Sequence, residues 1–309
     1  MAVAGPLLLA PAGSVAAVRA AIAAGADAVY VGVKGWSRGR PGSELDDEEI
    51  LLCVEELHGE GKKLHLAMNT IPRPHEVGQM VDKMRQFARW GIDGVILNDP
   101  GMIALVHRKV PALRICASVG CTTLNAEDAA LLHELGAQVV VVSWAVDPGQ
   151  IALIKSRTPV EIEVFVRGAQ EVLLLGKCWM GSYLKTVLKQ HGDRKDRPLG
   201  SAKRGGLCTS ICKAPWDLTV RGAELSRAAL PYKTFLVLRQ LPAYLRSGAS
   251  VLKIGGRELP PERVAHTVRL FRTLLDRCHP SLDDGAWTSV VERVRSEIGP
   301  AVGPVESWQ

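Results

Sequence analysis

Short, nearly continuous hydrophobic runs alternate along this chain with longer segments whose apolar residues recur every three or four positions. The runs at 5–12 (GPLLLAPA), 26–33 (ADAVYVGV), 62–69 (KKLHLAMN), 92–99 (IDGVILND), 113–119 (LRICASV), 138–144 (QVVVVSW) and 160–168 (VEIEVFVRG) read as strands, and another follows at 249–256 (ASVLKIGG). Strands without polar alternation are those buried on both faces, which is the habit of parallel sheets covered by helices. Between them, helical periodicity predicts helices at 15–25, 46–61, 76–90, 100–110, 125–136 and 147–158, with two more at 241–248 and 261–278. Ser14 is placed to cap the first, the acidic run Asp46–Glu49 suits the positive end of the second, and Gly25, Gly61 and Gly91 mark stops.

A strand–helix unit repeated eight times predicts an α/β fold, a closed (β/α)8 TIM-type barrel spanning 1–309 as a single domain. No G-x-G-x-x-G follows the first strand, which argues against a dinucleotide-binding open sheet. The segment 168–216 breaks the cycle and reads as an insertion after the seventh strand, leaving from the face where such barrels keep their chemistry.

That insertion holds Cys178, Cys208 and Cys212 out of seven cysteines in the chain. Thiolates are soft ligands, and three in one stretch point to a metal centre. The close pair is C-x3-C with the third cysteine far upstream, which suits an iron–sulfur cluster or an incomplete zinc site better than a zinc knuckle. Cys53 sits among Ile50, Leu51, Leu52 and Val54 and reads as core, as do Cys116 within its strand and Cys278 in the last helix. Cys121, just past the fifth strand, is placed to return to the same face.

An odd cysteine count without the layout of a signal peptide leads us to expect a reducing cytoplasm, and no apolar run is long enough to span a bilayer. A net charge of +6 permits an anionic partner, and Lys185, Lys189, Arg194, Lys195, Arg197, Lys203 and Arg204 concentrate it in the insertion. Residues at strand ends are candidates for substrate or catalysis, chiefly Asn69, Asp99, Asn125 and Arg257, although Asp99 in Asp-Pro-Gly also makes a good turn. His65 lies within a strand, and His75 follows the third strand in a proline-rich loop. No Ser-His-Asp order or H-E-x-x-H motif suggests proteolysis.

Taken in order, LLAPAGSVAAVRAAIAAGADAVYVG, LNDPG, ASVGCTTLN, EVFVRGA, GKCWMGSYL, GGLCTSICK and VLKIGGR resemble the collagenase-like peptidase family U32 from end to end. Despite its name, that family includes the ubiquinone-pathway proteins UbiU and UbiV and the RNA hydroxylation proteins TrhP and RlhA. The resemblance implies a barrel, a [4Fe-4S] cluster on Cys178, Cys208 and Cys212, and oxygen-independent hydroxylation, with prephenate as the associated oxygen source. It also implies a small organic substrate such as a quinone precursor. The alternatives are a tRNA or rRNA nucleoside, or a non-catalytic iron–sulfur role beside a second family member in a heteromer.

Two departures stand out. Glu171 occupies the position of the family's first cysteine, leaving the fourth ligand to Cys121, to Glu171 itself, or to an open iron. Where the family reads K-I-E-G-R, this chain reads Lys253-Ile254-Gly255-Gly256-Arg257.

Overall fold

The computed structural model describes residues 5–38, 42–169, 215–229, 234–279, 282–299 and 307–308. Strands β1 (Leu7–Ala12), β2 (Ala28–Gly32), β3 (Lys63–Ala67), β4 (Gly94–Leu97), β5 (Ile115–Ala117), β6 (Val139–Val141) and β7 (Glu161–Ala169) pair in chain order, each parallel to the next. A later strand, β11 (Val251–Ile254), lies between β7 and β1 and is parallel to both, with Leu7 opposite Val251 and Val251 opposite Glu163. That double pairing closes an eight-stranded barrel with no free edge, as the strand–helix alternation predicts.

Helices α1 (Val15–Ala23), α2 (Asp47–Gly59), α3 (Val77–Trp90), α4 (Pro100–Lys109), α5 (Ala126–Glu134) and α6 (Pro148–Arg157) follow the first six strands. Their starts are set by side chains that accept otherwise unsatisfied backbone N–H groups. Ser14 accepts from Ala17, and Asp46 and Asp147 form capping boxes with Glu49 and Gln150. Two helices follow the insertion, α7 (Leu241–Arg246) and α8 (Pro261–Arg277), and α8 packs against α1 to complete the outer ring. Helix α9 (Asp284–Ile298) was not legible as a separate element; it packs on α8, where buried Trp287 donates its indole N–H to the Leu238 carbonyl at 2.8 Å.

Alternation along each strand divides the core in two. Leu8, Ala10, Val29, Val31, Leu64 and Leu66 face the helices, whereas Leu9, Ala28, Tyr30, Ala67, Ile96, Cys116, Val139 and Val141 fill the barrel interior. Cys53 and Cys116 are buried, and burial, reinforced by Glu56 and Glu49, pushes the Cys53 thiol up to about 12, so it remains an inert thiol.

Strand β7 continues beyond the barrel, and its last residues pair antiparallel with β10 (Thr234–Leu236), Thr234 opposite Ala169. Between them lie the expected insertion and an antiparallel hairpin, β8 (Pro215–Val220) and β9 (Ala223–Ala229), so the chain regains the barrel rim at Thr234, later than Trp216. Cys178, Cys208, Cys212 and Glu171 lie outside the described residues.

Candidate active site at the carboxyl ends of the strands

All eight barrel strands point their carboxyl ends to one face, where the strand-end candidates fall into three groups. Two of them hold helices in place. Asp99 Oδ1 accepts from the Met102 N–H at 2.7 Å to start α4, and Asn125 Oδ1 accepts from Asp128 N–H at 2.9 Å to start α5. Each cap occupies one side-chain oxygen.

A second group is built around Arg257, which follows β11. Its half-buried guanidinium donates to Ser37 Oγ at 2.8 Å and to the Arg38 carbonyl at 2.6 Å. The Arg38 N–H in turn donates to Asn69 Oδ1 at 2.8 Å, so Arg257 and Asn69 share one loop between them. Glycine at position 32 makes this possible, since a Cβ there would lie 2.2 Å from an Arg257 nitrogen. Glu44 receives the Ser37 hydroxyl at 2.9 Å, so the carboxylate is one residue removed from the guanidinium rather than paired with it. Nearby, Arg167 at the end of β7 donates to the Gly255 carbonyl, and Gly255 N–H returns a bond to the Arg167 carbonyl at 2.7 Å. The Gly255–Gly256 stretch is thus tied to β7 through backbone atoms.

The third group was not singled out from sequence. Asn98, one residue before Asp99, is 5 % exposed, Thr70 is 1 % exposed and Thr123 is fully buried. Both amide atoms of Asn98 and the hydroxyls of Thr70 and Thr123 have no hydrogen-bond partner among the described residues. Leaving a buried polar atom unsatisfied costs on the order of 1–3 kcal/mol, so a concentration of them beside strand ends demands a reason. Three further features converge on the same place. Gly120 packs so closely that a Cβ would lie 1.7 Å from Asn98 Oδ1. Thr122 holds φ at 61°, a left-handed conformation that a β-branched residue adopts only under constraint. Cys121, half-buried on the 3-10 turn Val119–Cys121, directs its thiol toward the Leu97 carbonyl at 3.7 Å. Of the two fourth-ligand candidates for an iron–sulfur centre, Cys121 therefore sits on the barrel face from which β7 leads into the cysteine-bearing segment. Among the described residues no three His, Cys, Asp or Glu side chains are grouped to hold a metal ion.

The family model for Peptidase family U32 matches residues 13–298. The chain belongs to this family. The tRNA hydroxylation protein P of Escherichia coli is 30% identical over 217 residues, covering 70% of this chain and 44% of that relative. The 23S rRNA 5-hydroxycytidine synthase of Escherichia coli is 28% identical over 273 residues, covering 87% of this chain and 39% of the relative. A collagenase of Porphyromonas gingivalis is 25% identical over 301 residues, 91% of this chain and 69% of its own. This chain thus spans under half the length of the two hydroxylation proteins. The solved U32 peptidase Mk0906 shares the fold at a TM-score of 0.50 and 15% identity, covering 84% of this chain and 97% of that one. No described helix of this U32 protein is long and apolar enough to cross a membrane.

Proposed function

We propose that this U32 protein serves in the hydroxylation of an RNA nucleoside without dioxygen, at the carboxyl-end face of its barrel. The observation that carries the reading is the set of buried hydrogen-bonding atoms of Asn98, Thr70 and Thr123 that no described residue satisfies. An Asn amide offers one donor side and one acceptor side, the complement of the polar edge of a planar heterocycle. Arg257, a half-buried guanidinium whose hydrogen bonds among the described residues go to a hydroxyl and a carbonyl, has the chemistry to take a phosphate or carboxylate. Relatives named for tRNA and rRNA hydroxylation favour RNA over the quinone-precursor substrate that the sequence resemblance also allows.

In this reading Cys178, Cys208 and Cys212 hold a [4Fe-4S] cluster, with Cys121 as the fourth ligand. The cluster, when bound, supplies Lewis-acid or electron-transfer chemistry, and prephenate is the oxygen source. The chain's own residues then do three things: Asn98 and the two threonines orient the base, Arg257 anchors an anionic group, and the basic residues from Lys185 to Arg204 meet the phosphate backbone.

Mass spectrometry of nucleosides from the tRNA and rRNA of a deletion strain should show one hydroxylated nucleoside lost and restored by the wild-type gene. An unchanged profile would overturn the reading. Restoration by this chain alone in a host that lacks other family members separates a catalyst from a partner of one.

A further inference from the structure

At the opposite end of the barrel, where the strands begin, lies a cavity of about 210 Å³ that the reading above does not use. Alternate strands normally fill such a layer with branched aliphatic side chains. Here β3, β5 and β7 contribute His65, Cys116 and Glu163, which are 7 %, 4 % and 0 % exposed. Glu163 Oε1 receives the ammonium of Lys253 at 2.6 Å, while its Oε2 accepts only the weak thiol donor of Cys116, at 3.8 Å, among the described residues. The His65 ring lines the cavity and makes no hydrogen bond to a described residue. Burial pulls its pKa down to about 4, so the imidazole is neutral at neutral pH and keeps an acceptor nitrogen.

The outer lining has a different character. Arg114 and Glu161 pair with each other at 2.5 Å, and Asp93 Oδ2 accepts from the Leu64 N–H and meets His58 Nε2. Lys63, exposed at the start of β3, forms no ion pair with a described residue. The floor thus offers the second oxygen of Glu163 and a His65 nitrogen as acceptors, and the rim carries the Lys63 ammonium together with the Asp93 carboxylate.

We propose that this cavity is a second binding site, for a small zwitterion of the amino-acid type. Its ammonium points inward to Glu163 Oε2 and His65, and its carboxylate outward to Lys63. The volume accommodates a ligand smaller than those of ordinary drug-sized pockets, which begin at about 300 Å³.

Three four-carbon probes test this on the full chain in the absence of RNA: 4-aminobutyrate, n-butylammonium and butyrate. Calorimetry gives affinity, and the imidazole C–H resonance of His65, identified by its absence in His65→Leu, reports occupancy. The expected order is 4-aminobutyrate tightest, n-butylammonium weaker and butyrate without binding. Lys63→Ala should bring the two amines to equal affinity. His65→Leu should weaken both by at least about tenfold, the loss of one good hydrogen bond to a charged group, while leaving thermal stability unchanged or higher. No movement of the His65 signal with any probe, butyrate binding as well as the amines, 4-aminobutyrate no tighter than n-butylammonium, or unchanged affinity in His65→Leu would each overturn the assignment. These outcomes are independent of the RNA nucleoside result.

Discussion

Replacing Lys253 by methionine removes one half of the most deeply buried ion pair among the described residues, and the consequence can be worked out from its surroundings. The two side chains are only 5% and 1% exposed and lie 2.6 Å apart. Burial alone pulls the lysine pKa down, but the Glu163 carboxylate more than offsets it, with help from Tyr30 and Cys116, and the net shift is upward. The ammonium also lies 4.4 Å from the centre of the Tyr30 ring and 5.4 Å from that of Phe165. Lys253→Met keeps most of the stem's packing but leaves Glu163 as a charge without a counter-ion, at a cost of about 3–5 kcal/mol. Removing both charges, as Lys253→Met with Glu163→Leu, should return stability to within about 1 kcal/mol of wild type, because a well-packed apolar pair escapes the desolvation cost altogether. Urea unfolding with linear extrapolation measures all three variants, and an unchanged slope shows that the comparison is of stability alone. Glu163→Leu alone strands the Lys253 ammonium and should cost a similar amount, so the double-mutant cycle should give a coupling of at least about 5 kcal/mol. A single variant that costs under about 1 kcal/mol, or a double variant that costs the sum of the singles, would refute the account of a pair held by mutual charge compensation.

The His65 imidazole titrates near 4 when folded against an ordinary value of 6.5. Its contribution to stability should therefore be complete above pH 6.5 and fall by roughly 3 kcal/mol as pH drops to 4, since the unfolded chain binds the proton first. Urea midpoints at pH 7.5 and 4.5 should show a steep drop for wild type and a shallower one for His65→Leu; equal drops would remove the argument. Gly120→Ala, whose new methyl would meet Asn98 Oδ1 at 1.7 Å, should lower stability by about 2 kcal/mol or more, and Asn98→Ala in the same chain should recover most of it. Full stability of Gly120→Ala by itself would show that the amide moves freely. Ala at Cys178, Cys208 or Cys212 should abolish anaerobic iron and sulfide content, whereas Cys53→Ala should keep it with a packing cost of about 1–2 kcal/mol. An intact cluster after Cys208→Ala would defeat the ligand assignment.

The barrel was legible because each of its strands is a buried apolar run and because several helices announce their own starts. Ser14, Asp46, Asp99, Asn125 and Asp147 all cap helices through their side chains. The same chemistry concealed part of the site. Asp99 attracted notice as a strand-end carboxylate, while Asn98 beside it, whose buried amide no described residue satisfies, read simply as part of the strand run 92–99. His65, Cys116, Glu163 and Lys253 are each a single polar residue within an apolar run, and neither their spacing nor their type links them. They meet only when β11 slots between β7 and β1, a long-range pairing that no local period encodes. Hairpin β8–β9 and helix α9 escaped for a simpler reason: they fall outside the strand–helix rhythm used to read the chain.

Because Thr234 stands opposite Ala169, the chain leaves the barrel and comes back to it at one hydrogen-bonded doorstep, and the parallel ring itself closes through β11. The stretch 170–233 can therefore lengthen, shorten or be exchanged with little strain on the ring, since a longer excursion adds only the slowly rising entropy of closing a loop. The arrangement is a socket, and the cysteines, the basic residues and the hairpin are all carried on the stretch it holds. For an engineer the same doorstep is the place to splice a tight two-residue turn and recover the bare barrel, or to graft the excursion from one member of the family onto the ring of another.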